Sequence, residues 1–180
     1  MEHEHPSRVI RQTFLPAVLA GWCVYLLLDF LTHAVFLASW WERTESYWLP
    51  PLELFRRIPF GYASFAIYCA ALTWLLVRLY GERLNIRRGA RFGAVAGLVS
   101  GAAGVLATYS AFPMPVEALL VWPVSVVVAS TAAGAVAAWV LAAERPWRRL
   151  GLIFTAVVIL FILGVVIQNL FFLTPEDHLF

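Results

Sequence analysis

The chain has 180 residues, of which 62% are hydrophobic and 13% charged, with a net charge of +2. Soluble domains carry about 25% charged and 45–50% apolar residues, so this balance excludes an ordinary soluble domain and points to a polytopic integral membrane protein. The small net charge gives no footing for nucleic acid, and the lipid bilayer is the first partner to expect. All 13 basic residues are arginine, which reads as compositional bias beside the abundant alanine rather than as function. Cys23 and Cys69 both fall inside apolar segments with no Cys-x-x-Cys spacing, so they read as small buried hydrophobes, with a disulfide between helices the lesser alternative.

Residues 1–13 are polar. The run His3-Glu4-His5 could hold a metal weakly, but a flexible terminus explains it more simply. The first apolar run, from about residue 14 to 38, is too long for the roughly 7–15-residue core of a cleaved signal and reads as an uncleaved signal anchor. Pro16 then falls in the opening turn, where a missing N–H costs nothing. A connection over 39–58 follows, with Trp40, Trp41, Tyr47, Trp48, Pro50, Pro51, Arg56 and Arg57. Its aromatic residues suit the headgroup level, so this loop is expected to lie along the membrane surface, with Leu52, Leu54, Phe55 and Ile58 dipping in. Four more helices are expected at about 59–80, 89–112, 116–142 and 150–173. Each is at least about 20 residues, or roughly 30 Å, the thickness of the hydrocarbon core. The expected fold is therefore an all-α integral membrane protein, a single transmembrane domain of five helices over residues 1–180.

Arginine placement orients it. Arg8, Arg11, Arg78, Arg83, Arg87, Arg88, Arg91, Arg145, Arg148 and Arg149 fall on one side if five helices cross, and Arg43, Arg56 and Arg57 on the other. The excess of cytoplasmic arginine then predicts the N-terminus inside and the C-terminus, with Glu176 and Asp177, outside.

Two constellations stand out. Gly89, Gly93, Gly97 and Gly101 recur every fourth residue, a glycine-zipper pattern that clears one stripe for close approach of another backbone. The fourth helix offers matching faces, Ser130-Gly134-Ala138 and Ala129-Ala133-Ala137, and the short connection marked by Pro113 and Pro115 favours an antiparallel hairpin over a homodimer seam or a channel lining. The second constellation is Tyr25, Asp29 and His33, spaced by four on one helical stripe. A carboxylate within a bilayer helix costs roughly 2.5–3.5 kcal/mol, so something must answer it. With topology imposed, Tyr62, Ser64, Thr108, Tyr109, Ser110, Glu117, Gln168 and Asn169 gather toward the same outer half. This predicts an outer-leaflet polar pocket around Asp29 and His33, with Tyr25, Tyr109 and Glu117 as candidate members and the tryptophan-rich loop as a roof. Such a pocket could relay a proton or bind a divalent metal; equally, the pair could be a structural hydrogen-bond knot. His33 is the one membrane histidine, so it could ligate haem or a metal only with another partner, and no cofactor is expected. No nucleophile triad, phosphate loop or zinc-protease motif is present, so the reading leans away from an enzyme.

Asp29-x-x-x-His33, the Arg88-Gly-Ala-Arg-Phe-Gly93 opening of the third helix, the Pro113-Met-Pro115 break and the alanine-rich fourth helix resemble a group of small uncharacterised bacterial membrane proteins with a four-helix pattern. The likeness covers about residues 14–142, and the fifth helix departs from it. It implies a multi-pass protein of the bacterial inner membrane and brings no activity or site residue with it. The most economical functional expectation is a non-enzymatic subunit of a homo-oligomer or larger membrane complex, with proton or metal relay through the outer pocket as the alternative.

Overall fold

The computed structural model describes residues 6–38, 49–111 and 116–171. The His3-Glu4-His5 run, Trp40, Trp41, Tyr47 and Trp48 of the first connection, Pro113, Pro115, and the tail with Glu176 and Asp177 lie outside the described residues. What is described is helical, without a strand. The elements are α1 (Pro6–Phe30), a π-helical segment (Leu31–Phe36), α2 (Pro51–Tyr80), a 3₁₀ turn (Gly81–Arg83), α3 (Ile86–Ala111), α4 (Val116–Leu141) and α5 (Pro146–Phe171). Five stretches are long and apolar enough to cross a membrane: Gln12–Phe36, Leu52–Arg83, Ile86–Ala111, Leu119–Leu141 and Pro146–Leu170. The protein is thus built as a multi-pass helical membrane bundle.

Three boundaries depart from the sequence-based expectation. Helix α1 begins at Pro6, which takes the N-terminal position assigned above to Pro16, and Pro16 lies inside the helix. Helix α2 begins at Pro51 and runs unbroken through Pro59. The last part of the expected surface loop is therefore the first two turns of the second spanning helix. A helix satisfies its own backbone hydrogen bonds, and apolar surroundings offer no substitute, so it persists through a single proline that costs one bond. The pair Arg57–Glu53, 3.8 Å apart and exposed at i,i+4, sits on this added segment.

Helices α1 and α4 form the centre. Over the most apolar 18 residues of each span, about 44% of α4 and 39% of the first span are buried within the bundle, against 11% for α5, so the outer helices expose the surface that lipid covers. The two central helices run antiparallel. Ala17 and Ala20 of α1 share a cluster with Ala137 and Val140 of α4, and also with Leu76 and Ile153. One level further along, Tyr25 meets Ala129 and Ala133 with Cys69 and Leu72 of α2. Both cysteines are free thiols, Cys69 buried and Cys23 half-buried. Helix α5 runs parallel to α1, since Phe30 stacks on Phe161 at 4.5 Å and Gly164 admits Leu31, Phe30 and Val35.

Helix α3 attaches to α4 alone among the central pair, and glycine decides how closely. Gly89, Gly93, Gly97 and Gly101 are all buried. A Cβ at Gly93 would stand 2.1 Å from the Ser130 carbonyl oxygen, and one at Gly89 2.3 Å from that of Gly134. Gly97 meets Val127 and Ser130, and Gly101 meets Pro123. The two small faces of α4 therefore serve different neighbours. Ser130, Gly134 and Ala138 receive α3, whereas Ala129, Ala133 and Ala137 receive α1 and α2. Removing side chains lets the backbones touch, which is how helices gain van der Waals contact where lipid supplies no hydrophobic drive.

Candidate functional site

Asp29 closes the regular part of α1, and His33 follows on the π-helical segment, whose widened turn ends with the Leu37 N–H donating to the Thr32 carbonyl at 3.0 Å. An added residue in one turn rotates everything after it, and such turns recur at functional sites. Here the rotation leaves His33 facing α4 while Val35 turns inward and is fully buried. Carboxylate and imidazole form a pair, with His33 Nε2 3.5 Å from Asp29 Oδ1 and side-chain exposures of 21% and 28%. That residual exposure lets a solute reach both groups.

A third group comes from α4. The Ser125 hydroxyl donates to the Trp122 carbonyl at 2.7 Å and lies 3.4 Å from His33 Nε2. With its hydrogen committed to Trp122, the Ser125 oxygen presents lone pairs to the imidazole. A protonated Nε2 thus points at two acceptors, Ser125 Oγ and Asp29 Oδ1. Both distances exceed the roughly 2.9 Å typical of a strong N–H···O bond, so the imidazole is oriented without being locked.

Asp29 and His33, with Ala34, line an open cavity of about 500 Å³, and Ser125 touches the imidazole from outside that lining. Leu54 and Ile58 from the first turns of α2, with Tyr62 and Phe65 further along it, and Trp122 of α4 supply the rest of the lining. The early start of α2 is what adds Leu54 and Ile58 to it. Its position against α1 is fixed by the Trp22 indole N–H, which donates to the Tyr62 carbonyl at 3.0 Å. An apolar chamber of this size with a few converging polar groups is the usual form of a small-ligand site.

The expected members separate. Asp29 and His33 lie together in the cavity. Tyr25 is on the same helix but one turn deeper, buried against Phe65 at 4.8 Å and Tyr68 at 5.7 Å between ring centres. Tyr109 does not join them: it is exposed on α3, which the glycine seam holds on the far side of α4. The Ser110 hydroxyl and the Asn169 amide each donate to a carbonyl of their own helix, Ala107 and Val165. The side chain of Glu117 lies outside the described structure. Ser125, Trp122 and Tyr68 were missed by the sequence reading. Tyr68 and Ser130 hydroxyls meet at 2.9 Å beneath Tyr25, a polar contact between α2 and α4. Among the described residues no three His, Cys, Asp or Glu side chains group as metal ligands. Compared with known proteins, the chain matches no family model, no curated protein and no solved structure.

Proposed function

We propose that the protein is a multi-pass component of the bacterial inner membrane, N-terminus inside, whose outer-leaflet cavity binds and relays a proton through Asp29 and His33. The observation that carries this reading is the carboxylate–imidazole pair, 3.5 Å apart and still partly exposed on the floor of a cavity of about 500 Å³. Imidazole changes charge near neutral pH, and a carboxylate beside it supplies a second site for the same proton. A pair meant only to lock two helices has no use for the empty volume above it. Two ionisable side chains and a serine suffice for a proton, whereas a divalent metal asks for about four or more ligands. Orientation rests on the arginine asymmetry described above.

The relay is tested in proteoliposomes carrying a trapped pH dye. Wild type should dissipate an imposed pH gradient faster than empty vesicles, and Asp29→Asn and His33→Gln should each return to the empty-vesicle rate while accumulating normally. Variants that accumulate poorly would support a structural knot instead, and a wild type no faster than empty vesicles would remove the relay.

A second reading, a non-enzymatic subunit of a larger assembly, draws on the thin internal burial of α5 and α3, at 11% and 17% over the most apolar 18 residues of their spans. The glycine stripe does not support it, because α4 occupies that stripe. Native mass spectrometry from mild detergent separates the two: a monomer alone counts against the subunit reading and leaves the relay untouched.

A further inference from the structure

The opposite end of the bundle carries a second cavity, of about 550 Å³, at the turn from α4 to α5. Arg145, Arg148 and Arg149 line it, with Glu144 the one acidic group among its lining residues. We propose that this cavity seats the phosphate of an anionic phospholipid headgroup.

The arginines differ in what they do. The Arg149 guanidinium lies over the Trp139 ring, 4.8 Å from its centre, and donates to the Trp139 carbonyl. It is a fixed wall. Arg145 and Arg148 are exposed, and among the described residues neither has an ion pair. Three guanidinium charges against one carboxylate leave the cavity at +2, the sign that the negative charge of a phosphodiester answers. Guanidinium forks also match two phosphate oxygens at once. The first turn of α5, opening at Pro146, adds backbone N–H dipoles of the same sign.

Depth identifies the phosphate as a lipid's. The cavity lies between the end of one apolar span, Leu119–Leu141, and the start of the next, Pro146–Leu170, which is the boundary between hydrocarbon and headgroups. Trp139 and the exposed Trp147 flank it at the level indole rings prefer. Leu152, 60% exposed, continues the lining along the spanning surface where an acyl chain would run. Basic pockets between membrane helices at this depth suit anionic headgroups, whereas a free phosphate has no use for the apolar side.

The test is a native mass spectrometry titration of delipidated full-length protein with phosphatidylglycerol or phosphatidylcholine. One phosphatidylglycerol should be retained and phosphatidylcholine should bind at least about tenfold more weakly. Arg145→Gln with Arg148→Gln should weaken phosphatidylglycerol by about 30-fold, at roughly fivefold per surface arginine. Arg56→Gln with Arg57→Gln, at the other end, should change nothing. Displacement of the lipid by millimolar inorganic phosphate would assign the cavity to a free anion and overturn the lipid. Equal retention of the two lipids, or a double variant that binds as wild type does, would overturn the site itself. Because Arg145 and Arg148 are exposed, their loss leaves the fold intact, and the result does not depend on the Asp29–His33 relay.

Discussion

Along its α3 side, α4 offers Ser130, Gly134 and Ala138 to a run of glycines, and no room remains for even one added methyl group. Along its α1–α2 side, the same helix offers Ala129 and Ala133 at mid-depth, then Ser125 against His33 and Trp122 at the edge of an open cavity of about 500 Å³. The first side is made of residues that remove volume; the second ends beside a volume whose ionisable groups, Asp29 and His33, come from the facing helix. A membrane helix with no large hydrophobic gain from meeting its neighbour holds it by close approach or by hydrogen bonds, and α4 uses one on each side. The closed side should therefore respond to size, and the open side to charge and hydrogen bonding.

The largest expected effect breaks the closed side. Gly93→Ala places a Cβ 2.1 Å from the Ser130 carbonyl oxygen, a backbone atom that cannot swing aside. The helices must part by more than about 1 Å, at a cost of about 3 kcal/mol. Gly104, three residues beyond the seam, meets nothing within 4 Å. Gly104→Ala should be neutral or stabilising by up to about 1 kcal/mol through helix propensity alone. Thermal unfolding in detergent compares the two, and equal melting temperatures would show that the glycines do not set the α3–α4 distance.

On the open side the expected order reverses: stability should hardly move while function is lost. Asp29→Asn keeps size and shape, His33→Gln keeps a polar group of similar reach, and the pair is loosely spaced and partly exposed, so each should cost within about 1 kcal/mol. Asp29→Leu carries the comparison further. It fills part of the cavity with apolar bulk and should fold at least as well as Asp29→Asn, whereas any proton transfer should be abolished. If Asp29→Leu destabilises the bundle by several kcal/mol, the carboxylate belongs to the packing and the two sides of α4 are alike.

How far the sequence could be read follows the same division. The glycines and the small faces of α4 were legible because a stripe at intervals of four clears one helical face, and the matching faces across a short connection favoured the hairpin among the partners such a face could take. Asp29 and His33 were legible because charge in an apolar run is costly wherever it falls. What surrounds them was not. Expecting Tyr109 in the pocket rests on polar residues at one depth converging, but depth fixes only one coordinate, and the glycine seam carries Tyr109 to the far side of α4. The cavity wall was hidden because Pro50 and Pro51 read as a loop and Pro59 as a helix start, whereas the chain uses Pro51 to start α2 and passes through Pro59. Nothing in Leu31-Thr32-His33-Ala34-Val35-Phe36 marks a π turn, and the contacts of Leu31 and Val35 with Gly164 of α5 lie beyond what local sequence can show.

A smaller effect lies between the two sides. Thr73 of α2 is completely buried, and its Oγ1 has no hydrogen-bond partner among the described residues. An unpaired hydroxyl in apolar surroundings costs about 1–3 kcal/mol, and valine has the same shape without it. Thr73→Val should accordingly stabilise the bundle by about 1 kcal/mol, read as a raised unfolding temperature. A loss of stability would mean that the hydroxyl is paired in the membrane, with a water or another chain.

The smallest effect tests whether hydrogen bonding contributes anything measurable at mid-depth, where the closed and open sides meet. Tyr68 and Ser130 share one hydrogen bond of 2.9 Å, and Ser130 also receives Gly93 and Gly97 through its backbone and Cβ. Ser130→Ala keeps the Cβ that packs against α3 and removes only the hydroxyl, and Tyr68→Phe removes the other partner. Such interhelical bonds average about 0.6 kcal/mol in membrane double-mutant cycles, because the separated helices find other partners. A coupling near that value would assign α2–α4 contact to shape more than to polarity. A coupling of 2 kcal/mol or more, about threefold above that average, would place a strong polar bond directly beneath Tyr25. The hydrogen-bonded side of α4 would then extend inward from Ser125 to Ser130, and its boundary with the glycine side would run through a single residue.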